Sequence, residues 1–168
     1  MLDKHPGIAA LDRAPLGPAE RSQLIEQTQW AREFSGKQID LLAAYMDAYV
    51  APRGTIILRE GGYGAHLILL VKGQVAVIKD DNRRNPKVIT TLGPGKTFGE
   101  MSLLDGGTHS ATVAATADST LLALSQVNLD RLIAKAPRLG VALVMKIARL
   151  MSQYLRQTSG KLIDFLGQ

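Results

Sequence analysis

The sequence predicts a mainly β fold with flanking helices, its strands forming a closed or two-sheet antiparallel unit. Three observations predict it. Between Thr55 and Ser125, short apolar runs broken by glycine and proline recur at a spacing of roughly 8–12 residues. Before and after that stretch the apolar period becomes helical. The chain has 168 residues, 46% apolar and 21% charged, which is one ordinary globular domain with enough length to bury a core.

The elements follow in order. Residues 1–17 hold Pro6, Gly7, Pro15 and Gly17 with little periodicity, and read as a loose leader. Pro18 suits a first helical turn, and Ala19 to about Ala31 reads as a polar helix with Leu24, Ile25 and Trp30 as its apolar contacts. Ser35-Gly36-Lys37-Gln38 fits a capping box, and Phe34 and Ile39 are placed as a hydrophobic staple. That helix is expected to run to about Asp47, with a turn at Pro52-Arg53-Gly54. Strands are expected at Thr55–Leu58, His66–Val71, Gln74–Lys79, Lys87–Leu92, Ser110–Ala117 and Ser119–Ser125, with a polar hairpin loop over Asp80–Pro86. Helix returns over about Gln126–Lys135, and after Pro137 a long helix runs from about Arg138.

The long helix carries three stripes. Leu143, Ile147, Leu150 and Tyr154 make one, and Val144, Ala148, Met151 and Leu155 make a second beside it. Lys146, Arg149, Gln153 and Arg156 make a polar third. Two adjacent apolar stripes at coiled-coil spacing predict a homodimer through this helix; the alternative is burial of both within one chain. The net charge of +5 sits here too, because basic and acidic side chains cancel through residue 129. A basic helix face is most simply a solvated one, and alone it would give only salt-sensitive, sequence-independent affinity for DNA.

Composition excludes several classes. There is no cysteine, hence no disulfide, thiolate zinc site, iron–sulfur cluster or cysteine nucleophile. His5, His66 and His109 lack zinc-ligand spacing, and Asp80 and Asp81 sit where solvation explains them. Gly95-Lys96-Thr97 looks like the end of a phosphate-binding P-loop, but Thr90 stands where its first glycine belongs and no helix follows. Catalysis is not expected, and neither is a cofactor or a metal. No apolar run approaches the ~18 residues of a membrane span and no signal-peptide core is present, so a cytoplasmic protein is expected.

The concentrated signal is the run Phe98-Gly99-Glu100-Met101-Ser102 through Gly106-Gly107-Thr108-His109-Ser110-Ala111-Thr112-Val113. Glycine lets backbone approach a ligand closely, a short turn with free N–H groups nests an anion, and a carboxylate accepts from sugar hydroxyls. Such a loop between two strands can cradle a phosphate-sugar. With Ile57-Leu58-Arg59-Glu60-Gly61, the run Leu67–Leu70, Gly73 and Leu92-Gly93-Pro94-Gly95, it resembles the cyclic nucleotide-binding domains of catabolite activator-type transcription factors, kinase regulatory subunits and nucleotide-gated channels. The resemblance covers about residues 34–166.

The resemblance implies an antiparallel, eight-stranded β-roll of jelly-roll type over about residues 50–125, within a domain spanning 35–168 whose C-terminal helices cover 126–166. Residues 1–34 are then a leader and an N-terminal helix. It implies a cyclic nucleotide, cAMP-like, inside the roll, held by Gly99, Glu100, Met101 and Ser102 and by the stretch His109, Ser110 and Ala111. Glu100 takes the ribose 2′-hydroxyl; backbone N–H groups of Ser110, Ala111 and the turn near Ser102 face the phosphate. Thr158 and Ser159 resemble a pair that reaches the base, although Tyr154 and Leu155 occupy the ungapped positions. The family's phosphate-pairing arginine is replaced by His109, and position 62, usually polar, is Gly62. Losing a charge-assisted hydrogen bond weakens binding about 10- to 100-fold, and an imidazolium would restore part of it, so weak, acid-favoured binding is expected. After the long helix a transcription factor of this kind continues into a DNA-reading domain; the sequence stops near that hinge, so a sensor module without specific DNA binding, acting on an unknown protein partner, is expected. The alternatives are a ligand-independent interaction scaffold or a cyclic-dinucleotide site.

Overall fold

The computed structural model describes residues 7–81, 83 and 85–166. The expectations for residues 1–6, including His5, and for Asn82 and Arg84 of the hairpin loop lie outside the described residues. The chain divides into two compact units, one through Leu129 and one from Asp130.

In the first unit a 3-10 turn, Gly7–Ala10, precedes strand β1 (Asp12–Arg13) and helix α1 (Pro18–Glu26). A second 3-10 segment, Gln29–Glu33, leads into α2 (Gly36–Ala44). There follow β2 (Asp47–Ala51), β3 (Ile56–Leu58), β4 (His66–Lys72), β5 (Val75–Asp80), β6 (Pro86–Leu92), β7 (Thr97–Phe98), the short helix α3 (Glu100–Asp105), β8 (Thr112–Ala115) and β9 (Ser119–Ser125). Then come α4 (Gln126–Lys135) and α5 (Pro137–Leu166). The strands form two sheets, β1-β2-β9-β4-β7 and β3-β8-β5-β6, and their pairings are antiparallel.

The core follows from the two-residue period of strands. Tyr49 and Ala51, Ile68 and Leu70, and Leu121 and Ala123 turn one face of the first sheet inward; Ile57, Val75, Val113 and Ala115 do the same from the second. On β4 and β9 the alternate residues Leu67, Leu69, Leu122 and Leu124 are buried as well, which is why these strands read as unbroken apolar runs. β6 is the contrast: it lies at a sheet edge with Val88 and Ile89 exposed, and its register against β5 slips between Val77 and Ile78.

Several expectations are corrected. The leader is not loose from Gly7 onward: Ile8 is part of the core, and Asp12 and Arg13 pair with Val50 and Tyr49. The helix from Ala19 ends at Glu26 and continues as 3-10 structure, since Gln27 and Thr28 fold their N–H groups back on Gln23 and Ile25. The helix expected to reach Asp47 stops at Ala44, because Asp47–Ala51 is captured along its whole length by Ser119–Ala123 of β9. The capping box is as read: the Ser35 N–H donates to Gln38 Oε1 at 2.9 Å, and the Gln38 N–H to Ser35 Oγ at 3.4 Å.

In the second unit α4 and α5 meet at a tight corner. The Ala136 N–H donates to Leu132 O at 2.7 Å, and a Cβ on Gly140 would stand 2.5 Å from Ile133 Cγ1. Along α5, Leu139, Leu143 and Ile147 are buried, as is Lys146, which the sequence placed on the polar face. The second apolar stripe is not buried: Leu155 is 69% exposed, and Leu162, which continues it, 56%. Among the described residues no helix is long and apolar enough to cross a membrane.

Gly73, with φ +94°, makes the turn between β4 and β5, and a Cβ there would lie 2.3 Å from Ser119 Oγ and 2.5 Å from Asp118 O. Gly73→Ala is therefore expected to lower stability by about 2 kcal/mol or more, through left-handed strain plus a backbone clash. Gly93→Ala, with nothing within 4 Å of its Cβ, is expected to change stability by no more than about 0.5 kcal/mol. Urea denaturation of both variants checks the contrast, and equal stabilities would contradict it.

Candidate ligand-binding site

The site is a loop-and-helix excursion between β7 and β8. Gly99 starts it, in the left-handed region at φ 82°, and a Cβ there would approach His66 O to 2.5 Å. Only glycine fits, and the turn it makes swings the chain directly into α3 with Glu100 as its first residue. Gly106, also left-handed at φ 68°, ends that helix.

Glu100 is 8% exposed, and its Oε2 is buried with no hydrogen-bond partner among the described residues. Burial raises its pKa above the ordinary carboxyl value, opposed by a hydrogen bond from its own backbone. A buried carboxyl oxygen without a partner is costly, and a ligand hydroxyl is the kind of group that would satisfy it. Met101 is exposed and Ser102 buried. The Ser102 hydroxyl donates to Gly99 O at 3.1 Å, and Ser102 Oγ lies 3.2 Å from His109 Nδ1. When the hydroxyl donates to Gly99 O, the serine oxygen accepts from Nδ1–H, and that tautomer of the neutral imidazole carries its lone pair on Nε2.

His109 Nε2 is buried and unpartnered among the described residues. The ring lies against the turn that follows β3: a Cβ on Gly64 would stand 3.1 Å from Nε2, and one on Gly62 would stand 3.7 Å from Cδ2 and 3.0 Å from Arg59 O. The glycine at position 64 thus leaves room for the buried ring, and the one at 62 leaves room for the turn at the Arg59 carbonyl. Burial lowers the pKa of His109 below the ordinary histidine value, and the charge of His66 lowers it further; His66 is itself lowered by burial, with Asp47 opposing.

The stretch from His109 to Thr112 is held by its acceptors. His109 O accepts from the Gly61 N–H at 2.9 Å, Ser110 O from Lys79 Nζ at 2.6 Å, and Thr112 Oγ1 from the Glu60 N–H at 3.0 Å. The His109 N–H donates to Gly62 O at 2.8 Å. Among the described residues neither the Ser110 nor the Ala111 N–H has an acceptor. A loop whose carbonyls are used and whose amides are free is polarised toward an anion. The sequence singled out Gly99, Glu100, Met101, Ser102, His109, Ser110 and Ala111, and all of them stand on this one excursion. It did not name Lys79 as a site residue and gave Glu60 and Thr112 no role of their own, although both stand in the runs that carry the resemblance; their contacts with the loop span 31 and 52 positions along the chain and leave no local pattern. Thr158 and Ser159 lie on α5 in the second unit, both exposed. A separate hollow of about 390 Å³, lined among others by Glu26, Thr28, Arg32 and Phe34, sits by the N-terminal helices and contains none of these residues.

The model of one protein family, described as the cyclic nucleotide-binding domain, matches residues 50–136, just over half of the chain and all of this excursion. The chain belongs to that family. Among its relatives, the cyclic AMP receptor protein of Thermus thermophilus is 34% identical over 113 residues, covering 67% of this chain and 52% of its own length. A cyclic nucleotide-gated potassium channel of Rhizobium etli is 34% identical over 90 residues, covering 54% of this chain and 24% of the channel. The chain thus spans about half, or less, of these curated relatives. Of solved structures, a cyclic nucleotide-binding domain from Methylobacillus flagellatus superposes with a TM-score of 0.76 at 30% identity, over 87% of this chain and 82% of that one. The Thermus thermophilus catabolite activator protein does so with a TM-score of 0.72 at 32% identity, over 82% of this chain and 62% of that one. As a cyclic nucleotide-binding domain, the chain has the family's β-roll, with the corrections to its first fifty residues given above.

The histidines give a pH prediction with a definite sign. A histidine whose folded pKa is depressed binds less proton folded than unfolded, so its contribution is intact above the unfolded value of about 6.5 and is lost as pH falls below it. Glu100, raised, acts oppositely, gaining stability as it protonates on the way down. The melting temperature of His109→Gln should therefore fall less than that of the unsubstituted protein between pH 7.5 and pH 5.5. An equal fall in both would mean that His109 is not buried in its neutral form.

Proposed function

We propose that this domain is a regulatory sensor that binds a cyclic mononucleotide, cAMP or a close analogue, in the excursion between β7 and β8. The observation that carries the reading is the unpartnered buried oxygen of Glu100, on the same excursion (the cassette, residues 99–111) whose Ser110 and Ala111 amides are free. A ribose 2′-hydroxyl would satisfy the first and a cyclic phosphate the second. The relatives named for cyclic AMP or cyclic nucleotides support the ligand class. Nothing in the proposed role calls for catalysis or a bound cofactor, and a cytoplasmic setting suits a nucleotide messenger.

His109 is read as the residue that weakens the site. In the neutral ring Nε2 is an acceptor and repels a phosphate oxygen; only the imidazolium offers a donor there. Binding is then coupled to proton uptake and favoured by acid. On the resemblance alone, Thr158 and Ser159 remain the proposed base-recognising pair, and α5 the proposed output element. Its exposed second stripe, through Leu155 and Leu162, supports a homodimer, with a further protein partner reading the helix. Specific DNA binding has no part in the role proposed for these residues. One observation favours a second reading: His109 is tucked under the turn at Gly62 and Gly64, which a ligand-free interaction scaffold would tolerate and a phosphate site does not need.

Thermal shift against cyclic mono- and dinucleotides separates the readings. For cAMP, stabilisation that grows with concentration, about 2.7 kcal/mol at one hundred times Kd, is expected. Glu100→Ala should weaken the interaction about 10- to 100-fold, and the unsubstituted protein should bind more tightly at pH 6 than at pH 8. No shift with any member of the panel would leave the scaffold. Light scattering should give twice the 18.1 kDa chain mass, and Leu155→Glu the monomer.

A further inference from the structure

Lys79 stands near the end of β5 (Val75–Asp80), outside the residues that the family resemblance implies for the ligand, yet its ammonium reaches the loop that carries them. Nζ donates to Ser110 O at 2.6 Å and to Glu60 Oε1 at 2.9 Å. The other Glu60 oxygen accepts from the Asp80 N–H at 3.2 Å, and the Glu60 N–H holds Thr112 Oγ1. One carboxylate therefore fixes the lysine, the hairpin end of β5 and, through its own backbone, the residue after the free amides.

The peptide joining Ser110 to Ala111 is trans, like every described peptide bond. In a trans peptide the carbonyl and the next N–H point in opposite directions. Turning Ser110 O onto Lys79 therefore turns the Ala111 N–H away from it, and that N–H has no acceptor among the described residues. A cation on the carbonyl also polarises the amide and strengthens its donor. Two consequences follow from one contact: the donor is aimed, and its dipole is enhanced where His109 in its neutral form supplies no charge. The Glu60–Lys79 pair is a surface one, with side chains 32% and 51% exposed, so its value as a stabiliser of the fold is small.

We infer that Lys79 is a positioning residue for the anion-binding end of the cassette, clamping the Ser110–Ala111 peptide through its carbonyl so that the Ala111 amide is presented to a ligand phosphate, with Glu60 holding the lysine in place. The inference rests on the cyclic-nucleotide reading for its ligand, while the clamp itself is a property of the ligand-free protein.

The test uses the full chain with Lys79→Met, which keeps the aliphatic stem and removes the donor and the charge, and Lys79→Arg, which keeps both. In the ligand-free protein, NMR should show the Ser110 carbonyl carbon and the Ala111 amide shifted in Lys79→Met and restored toward their original positions in Lys79→Arg, with the melting temperature unchanged. Titration calorimetry with cAMP should show affinity about tenfold weaker for Lys79→Met and near the original for Lys79→Arg. Unmoved Ser110 and Ala111 signals in Lys79→Met would overturn the clamp whether or not any nucleotide binds. Moved signals with unaltered cAMP affinity would overturn its role in binding. If the unsubstituted protein binds no cyclic nucleotide, the functional reading fails by itself, and the ligand-free spectra still decide the clamp.

Discussion

The candidate site depends on one pairing, the antiparallel clasp between the turn Glu60–Gly62 and the stretch His109–Thr112. Two backbone hydrogen bonds, Gly61 to His109 and His109 to Gly62, set the register, and the Glu60 N–H on Thr112 Oγ1 extends it. Because the clasp takes up carbonyls and the lysine takes another, the loop is left with amides to spare. An ordinary hairpin end would have paired them with water at random orientations. Here the orientation is fixed by bonds on the opposite side of the chain.

The same clasp explains the burial of His109. Its backbone is held on both sides by Gly61 and Gly62, and its ring is turned onto Ser102 and packed against positions where Gly62 and Gly64 carry no side chain. The arginine implied by the resemblance would carry a permanent charge that could not be buried there without a partner. A histidine can be, because it can shed its proton. In the proposed site, a standing charge would thereby be exchanged for one that appears only on protonation of His109.

Glycine does the remaining positioning at two places. Gly99 lets the chain pass His66 O and start α3, so that Glu100 emerges beside the sheet and becomes buried. Gly73 lets β4 return as β5 under Ser119, which brings Lys79 level with the cassette at the far end of that strand. Both requirements are steric, and both are met by the absence of a Cβ.

By itself the sequence determined the elements whose signals are local. The capping box at Ser35 and Gln38 and the bounds of β9 and α4 were readable because caps and alternation act within a few residues. The residues between Gly99 and Ala111 stood out locally as a glycine-rich turn, and their proposed site roles came from the family resemblance. Tertiary structure decided what partners supply. Asp47–Ala51 is a strand because β9 lies beside it, Ile8 is core because both sheets close over it, and Val88 and Ile89 are exposed because β6 is an edge. Lys146 reads as polar surface and is buried. Lys79 and Glu60 reach the loop from positions 31 and 52 residues from their contacts, a distance over which no periodicity carries information. Propensity acts along the chain, whereas pairing, burial and the aim of an amide are set across it.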